Sequence, residues 1–156
     1  MIAPEELDRM TDAMTHRGPN DRGTYLADGV ALGVRRLSIV DVEGGHQPVS
    51  NEDGTVWCVQ NGELYNHDEV RAGFGSRHHL RSRCDTEILP HLYEDVGDAY
   101  AEHVRGKFAI AAWDARRRRA VVARDRLGVK PLYYAEAGDV VVFASELKSL
   151  LASGLV

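Results

Sequence analysis

Three short turn signals limit what this chain can fold into. Asp28-Gly29, Asp114-Ala115-Arg116-Arg117 and Gly138-Asp139 each separate two runs of strand length. These runs are residues 23–27 and the stretch from Val30 towards Val40, Lys107–Trp113 and the return through Val121-Val122-Ala123, and Pro131–Glu136 and Val140–Phe143. Runs joined so tightly pair antiparallel, because a parallel crossover needs about a dozen or more residues. Helical patterns lie apart from them. Over 4–15, Pro4 suits a first turn, Glu5 and Glu6 favour its dipole, and Leu7, Met10, Ala13 and Met14 share one face. Further helices are expected after Asn66, over Thr86–Val96 with Asp85 as its N-cap, over 98–104, and over Glu146–Ala152 with Ser145 as its cap. Adding strands at 55–60 and 80–83 gives roughly eight strands and four or five helices, an α+β layered arrangement.

Length and charge narrow the class further. A chain of 156 residues, 44% hydrophobic and 28% charged, reads as one globular domain. Its net charge of -5 argues against nucleic acid, and the run Arg116–Arg119 reads as a solvated hairpin turn. No apolar run reaches membrane-spanning length, and the start Met-Ile-Ala-Pro-Glu-Glu has no signal-peptide pattern, so a cytoplasmic protein is expected. Cys58 and Cys84 imply no disulfide framework. The histidines, His78-His79 included, lack a partner set with metal-ligand spacing, so surface or core roles are expected, with no metal and no cofactor.

The chemically richest stretch is Trp57 to Asn66, read as an apolar strand breaking into a turn at Asn61-Gly62-Glu63. Asn61 offers a side-chain N–H, Gly62 a backbone N–H with no Cβ in the way, and Glu63 a carboxylate. Such a set suits a zwitterionic small molecule, although Asn-Gly is also the commonest hairpin turn. Arg36 falls on the same face as Val30, Leu32 and Val34, where it either binds an anion or pairs at the strand end. Asp85 either caps its helix or binds a ligand, and Pro90 is expected to kink that helix. The loop 41–54 is long enough to cover a site.

Several segments acquire a common meaning together: His16-Arg17-Gly18-Pro19, Arg36-Leu37-Ser38-Ile39-Val40-Asp41, Asn61 to Asn66, Asp85-Thr86-Glu87, the run Arg124 to Tyr134, and Phe143 to Lys148. Over nearly its whole length the chain resembles the class II glutamine amidotransferase domain of glutamine-hydrolysing asparagine synthetases. The resemblance implies a four-layer αββα sandwich of the N-terminal-nucleophile hydrolase type that takes ammonia from glutamine. It implies that Arg36 holds the glutamine α-carboxylate, that Glu63 and Asp85 receive its α-ammonium, and that the Asn61 side chain and Gly62 N–H form an oxyanion hole. Ile39 and Val40 would add backbone contacts to the substrate. The expected ligand is L-glutamine or L-glutamate, with a synthetase domain or subunit as partner.

One departure qualifies this expectation. In the family the mature chain begins with a cysteine that supplies both the attacking thiol and the amine base, whereas this sequence begins Met1-Ile2-Ala3-Pro4-Glu5. Residues 1–156 are thus expected to be a partial glutaminase domain, N-terminally truncated. No Ser-Gly-Gly-x-Asp-Ser loop of an ATP-binding synthetase domain occurs in the sequence. Three readings stay open: a piece of an asparagine synthetase-like enzyme inactive as it stands, a stand-alone pseudo-amidotransferase that binds glutamine or a partner, and an interaction module without a pocket. Loss of a first strand would leave an open sheet edge, from which homodimerisation is expected. Gln60 stands where the family usually has an apolar or aromatic residue.

Overall fold

The computed structural model describes residues 2–37 and 45–156. At its centre is a four-stranded antiparallel sheet in the order β3-β4-β5-β6, comprising Val49–Ser50, Val56–Leu64, Gly106–Asp114 and Arg119–Arg124. Two hairpins make up the remaining strands: β1 (Asp21–Ala27) with β2 (Val30–Arg36), and β7 (Tyr133–Ala137) with β8 (Val140–Ala144). Each hairpin turns through a left-handed glycine, Gly29 at φ 87° and Gly138 at φ 61°.

Helices cover both sides, giving an αββα order. On one face of the central sheet, α2 (His67–Phe74), α3 (Ile88–Val96) and the 3₁₀ segment Gly97–His103 bury the main core, built from Cys58, Leu64, Phe74, Ile88, Leu89, Tyr100, Phe108 and Ile110. Alternation along β4 sends Val56, Cys58 and Gln60 inward to this layer. A second core, of Val142, Ala144 and Leu150 with Met10 packed against it, joins β8 to α1 (Pro4–Asp12) and α4 (Leu147–Ala152). Tyr25 of β1 stacks on Trp57 of β4 with centroids 4.2 Å apart, tying the two β layers together. No helix among the described residues is long and apolar enough to cross a membrane.

Several local expectations are corrected. Asn61-Gly62-Glu63 is no turn: β4 runs straight through it, with partners Ala109, Phe108 and Lys107 on β5. Pairing with the longer strand overrides the local Asn-Gly signal. Gly62 adopts φ 138°, and a Cβ there would lie 1.9 Å from the Lys107 carbonyl oxygen, so only glycine lets the two backbones approach. Residues 80–83 are not a strand; the buried Glu87 carboxylate holds them by accepting from the N–H groups of Arg81 and Ser82 and from the Ser82 hydroxyl.

Helix starts also shift. Asp85 caps nothing: it opens a 3₁₀ turn, Asp85–Glu87, and α3 begins at Ile88. Pro90 therefore falls in the first turn of α3, where a missing N–H costs little, and no kink is required. Along α3 Ile88, Leu89 and Leu92 are buried, while Val96 at its end is exposed. The last helix is preceded by Glu146, and Ser145 makes no capping bond. Asn66 does precede α2, but its side chain bonds Arg105 N–H and the His103 carbonyl instead.

Candidate substrate cavity

A cavity of about 1170 Å³ lies between the two β layers, with Arg36, Gln60, Asn61, Gly62, Glu63 and Asp85 in its wall. This exceeds the roughly 300–1,000 Å³ of ordinary small-molecule sites, so a free amino acid fits with room to spare. Five of the residues singled out in the sequence thus meet at one cavity although they come from β2, β4 and the turn before α3. Ile39 and Val40 lie outside the described residues.

Asp85 is the best-fixed of them. Its Oδ2 accepts at 2.8 Å from the Gln60 side-chain amide and at 2.8 Å from the Leu64 backbone N–H. Here β4 has outrun β3, which pairs only with Trp57 and Cys58, and side chains satisfy its free edge. At the other end of that edge the Gln60 N–H donates to Gln47 Oε1 at 2.7 Å, and Gln47 Nε2 donates to the Thr86 hydroxyl at 3.3 Å. Gly62 stands between these two anchored positions. Gln60, noted in the sequence only as a departure, is therefore what orients Asp85, and Gln47 was not singled out at all. A buried glutamine in an otherwise apolar stripe was the available signal for Gln60; Gln47, in an irregular loop, offered none.

Asn61 and Glu63 are held more loosely. Asn61 Nδ2 donates to Ser145 Oγ at 3.1 Å, across the cavity from β4 to the end of β8. An amide nitrogen has a second proton, so this bond orients Asn61 and leaves it one donor. Glu63 is largely exposed and pairs with Lys107, its cross-strand neighbour, at 3.2 Å. That pair raises the pKa of the Lys107 ammonium above its usual range, first through the hydrogen bond the ammonium donates to Glu63. Arg36 ends β2, and its guanidinium closes over Gly45, where a Cβ would sit 2.1 Å from Nη2.

Neither thiol is set up to attack a substrate. Cys58 is fully buried in the main core, and burial pushes its thiol far up. Cys84 lines the cavity, but burial, joined by the charge of Asp85, raises its thiol despite opposing hydrogen bonds from Thr86; its Sγ donates to Asp85 Oδ1 at 3.6 Å. A protonated thiol is a poor nucleophile.

The run Arg124 to Tyr134, the most specific motif in the sequence, has a different task. Asp125 is buried, and its carboxylate accepts from the backbone N–H groups of Phe108, Val129 and Lys130 at 3.2, 2.9 and 3.0 Å. Arg124 grips the carbonyls of Gly128 and Lys130. The motif is a tied loop that secures β6 to β7. Outside the cavity, the expectation that the histidines have no partner set is corrected: Glu52, His78, His91 and Glu94 place their ligand atoms within 4.8 Å of one another.

The αββα fold and a cavity whose wall carries Arg36, Glu63, Asp85 and the amides of Gln60 and Asn61 set the class to which the domain is to be compared. A family model described as "Glutamine amidotransferase domain" matches residues 2–156, and the chain belongs to that family. It is 40% identical over 146 residues to asparagine synthetase (glutamine-hydrolyzing) 2 of Bacillus subtilis, covering 94% of this chain and 19% of that protein. It is 41% identical over 151 residues to asparagine synthetase (glutamine-hydrolyzing) 3 of the same organism, covering 95% of this chain and 25% of that protein. The chain thus spans a quarter or less of these two relatives. Among solved structures, "Structure of the allosteric regulatory enzyme of purine biosynthesis" superposes with a TM-score of 0.81 at 22% identity, over 97% of this chain and 41% of that one. The fold is that of the N-terminal-nucleophile hydrolases, as the resemblance implied.

Proposed function

We propose that residues 1–156 form the glutamine cradle of an asparagine synthetase-like amidotransferase, a single glutaminase-type domain. Arg36 receives the α-carboxylate of glutamine, Asp85 and Glu63 receive its α-ammonium, and Asn61 Nδ2 with the Gly62 N–H faces the oxygen that becomes negative when the amide is attacked. The observation that carries this reading is Asp85: a carboxylate in the cavity wall, fixed by Gln60 and the Leu64 N–H, with acceptor capacity left for a cation. The Glu63–Lys107 pair opens to admit the ammonium, an exchange of one cation for another. Ile39 and Val40 complete the proposal as backbone contacts.

Hydrolysis also requires a thiolate. With Cys58 and Cys84 both held as thiols, these residues supply binding and oxyanion stabilisation without an attacking group. The same observation supports the second reading, a module that binds glutamine without hydrolysing it. The ammonia acceptor and a synthetase partner belong to the larger-enzyme reading and are proposed on the likeness to the two synthetases. The test is a thermal-shift titration of the chain with L-glutamine and L-glutamate, run beside an ammonia-release assay. Expected are a melting temperature that rises over the millimolar range and no ammonia above background. An unchanged melting temperature removes the cradle; ammonia release abolished by Cys84→Ser removes the account of the thiols.

A further inference from the structure

Behind the cavity, on the far side of α3, four side chains converge that the glutamine site does not use. His91 and Glu94 are three residues apart on α3 and share a face; His78 comes from the segment after α2, and Glu52 from the turn between β3 and β4. His91 is 1% exposed, and its Nδ1 is buried with no hydrogen-bond partner among the described residues. The nearest carboxylate oxygen, Glu52 Oε2, lies at 3.2 Å from Nδ1 but out of hydrogen-bonding alignment. A buried ring nitrogen aimed at a carboxylate it does not bond is a costly arrangement unless something else sits between them.

His78 shows the same geometry with its tautomer set. Its Nε2 lies 2.9 Å from Asp95 Oδ1, and Arg77 holds the other oxygen of Asp95 at 2.9 Å. With Nε2 donating, the lone pair of Nδ1 faces Glu52 Oε1 at 3.7 Å and Glu94 Oε2 at 3.8 Å, too far for hydrogen bonds. Nδ1 thus faces two carboxylates without a hydrogen bond to either. A carboxylate on the outer nitrogen of an imidazole is also the usual support of a metal-bound histidine.

We propose that Glu52, His78, His91 and Glu94 bind a divalent transition-metal cation, with Zn²⁺ the best fit. Two imidazoles and two carboxylates suit this ion, and bonds of about 2.0–2.1 Å in a tetrahedron put ligand atoms roughly 3.4 Å apart. Separations of 3.2, 3.7 and 3.8 Å, the first through Glu52 Oε2 and the second through its Oε1, lie near that spacing, and all four ligand atoms fall within 4.8 Å of one another, so the shell closes with side-chain movements of up to about an ångström. The ion would pin the segment between α2 and Asp85 to α3, bracing the helix that follows the ammonium anchor.

The test uses the untagged chain stripped with a chelator and titrated with ZnCl₂ by calorimetry, with bound metal counted by elemental mass spectrometry. One equivalent per chain and a raised melting temperature are expected. Because the His91 and His78 side chains are both buried and their replacement threatens folding, the diagnostic variants are Glu52→Gln and Glu94→Gln, whose side chains are partly exposed and keep an acceptor oxygen. Each should weaken Zn²⁺ binding at least tenfold while leaving the melting temperature of the metal-free chain unchanged. No binding up to 100 times the micromolar range, or full affinity in both variants, overturns the proposal. So does a thiolate-to-metal charge-transfer band in the Co²⁺-substituted chain, since that would place the ion on a cysteine.

Discussion

The loop from Arg124 to Tyr134 and the strand segment from Gln60 to Leu64 are both polar, glycine-containing stretches beside the same cavity, yet they are wired in opposite ways. In the loop two side chains are committed to backbone groups: the Asp125 carboxylate takes three backbone N–H groups, and Arg124 donates to two carbonyls. In the strand segment the polar groups are only partly engaged, Asn61 by one hydroxyl and Glu63 by one exposed lysine. Saturated hydrogen bonding marks a stretch that holds the fold; partial engagement at a cavity marks a stretch with capacity left for a ligand. The more conspicuous motif is thus the structural one.

The largest expected effect tests the structural half. Asp125→Ala strands the N–H of buried Phe108 at about 1–3 kcal/mol and loosens the partly buried N–H groups of Val129 and Lys130 at less than that each, so a loss of about 2–4 kcal/mol is expected in urea unfolding. A loss below about 1 kcal/mol would erase the contrast. Gly62→Ala comes next and touches both roles. The φ of 138° and the collision with the Lys107 carbonyl should cost roughly 1–3 kcal/mol, and glutamine should no longer raise the melting temperature. A variant with wild-type stability and wild-type glutamine response would remove the close approach from the argument.

The smallest effect is a pH dependence. Burial acts against the charge on Asp125, but the N–H groups of Lys130, Val129 and Phe108 prevail and hold its carboxyl below the ordinary carboxylate range. A depressed folded value means stability that is fully present above the unfolded pKa, about 3.9, and lost as pH falls through the lower folded value. The stability difference between the wild-type chain and Asp125→Ala should therefore be constant above pH about 5 and shrink below about 3.9. A difference that stays flat to pH 2 would contradict the carboxylate account.

Much of this was legible in the sequence, for local reasons. The hairpins at Gly29 and Gly138 follow from left-handed glycines, and the α+β grouping follows from hairpins set apart from helices. The four arginines of the β5–β6 turn are a solvated corner, paired with Asp53, Asp114, Asp28 and Asp98 in turn. What failed depended on tertiary pairing. Asn61-Gly62 reads as a turn until β5 is laid beside it, and Asp85 and Ser145 read as caps until β4 supplies them with better partners. The resemblance named five residues that line one cavity, whereas the supporting roles of Gln47 and Gln60 became visible only in the fold. Supports act through contacts between positions 13 to 25 residues apart; the polar break in the apolar stripe marks Gln60 as unusual, but no local pattern records its partners or points to Gln47.

The central claim is that Asp85, held by Gln60 and the Leu64 N–H, is the ammonium anchor of a glutamine site. It is tested most directly by calorimetric titration of L-glutamine into the chain and into Asp85→Asn, whose side-chain oxygen can still accept from Leu64 but carries no charge. The account predicts binding by the wild-type chain and an affinity at least tenfold lower in the variant, about 1.4 kcal/mol, with the melting temperature of the free protein unchanged. Equal affinities would contradict it.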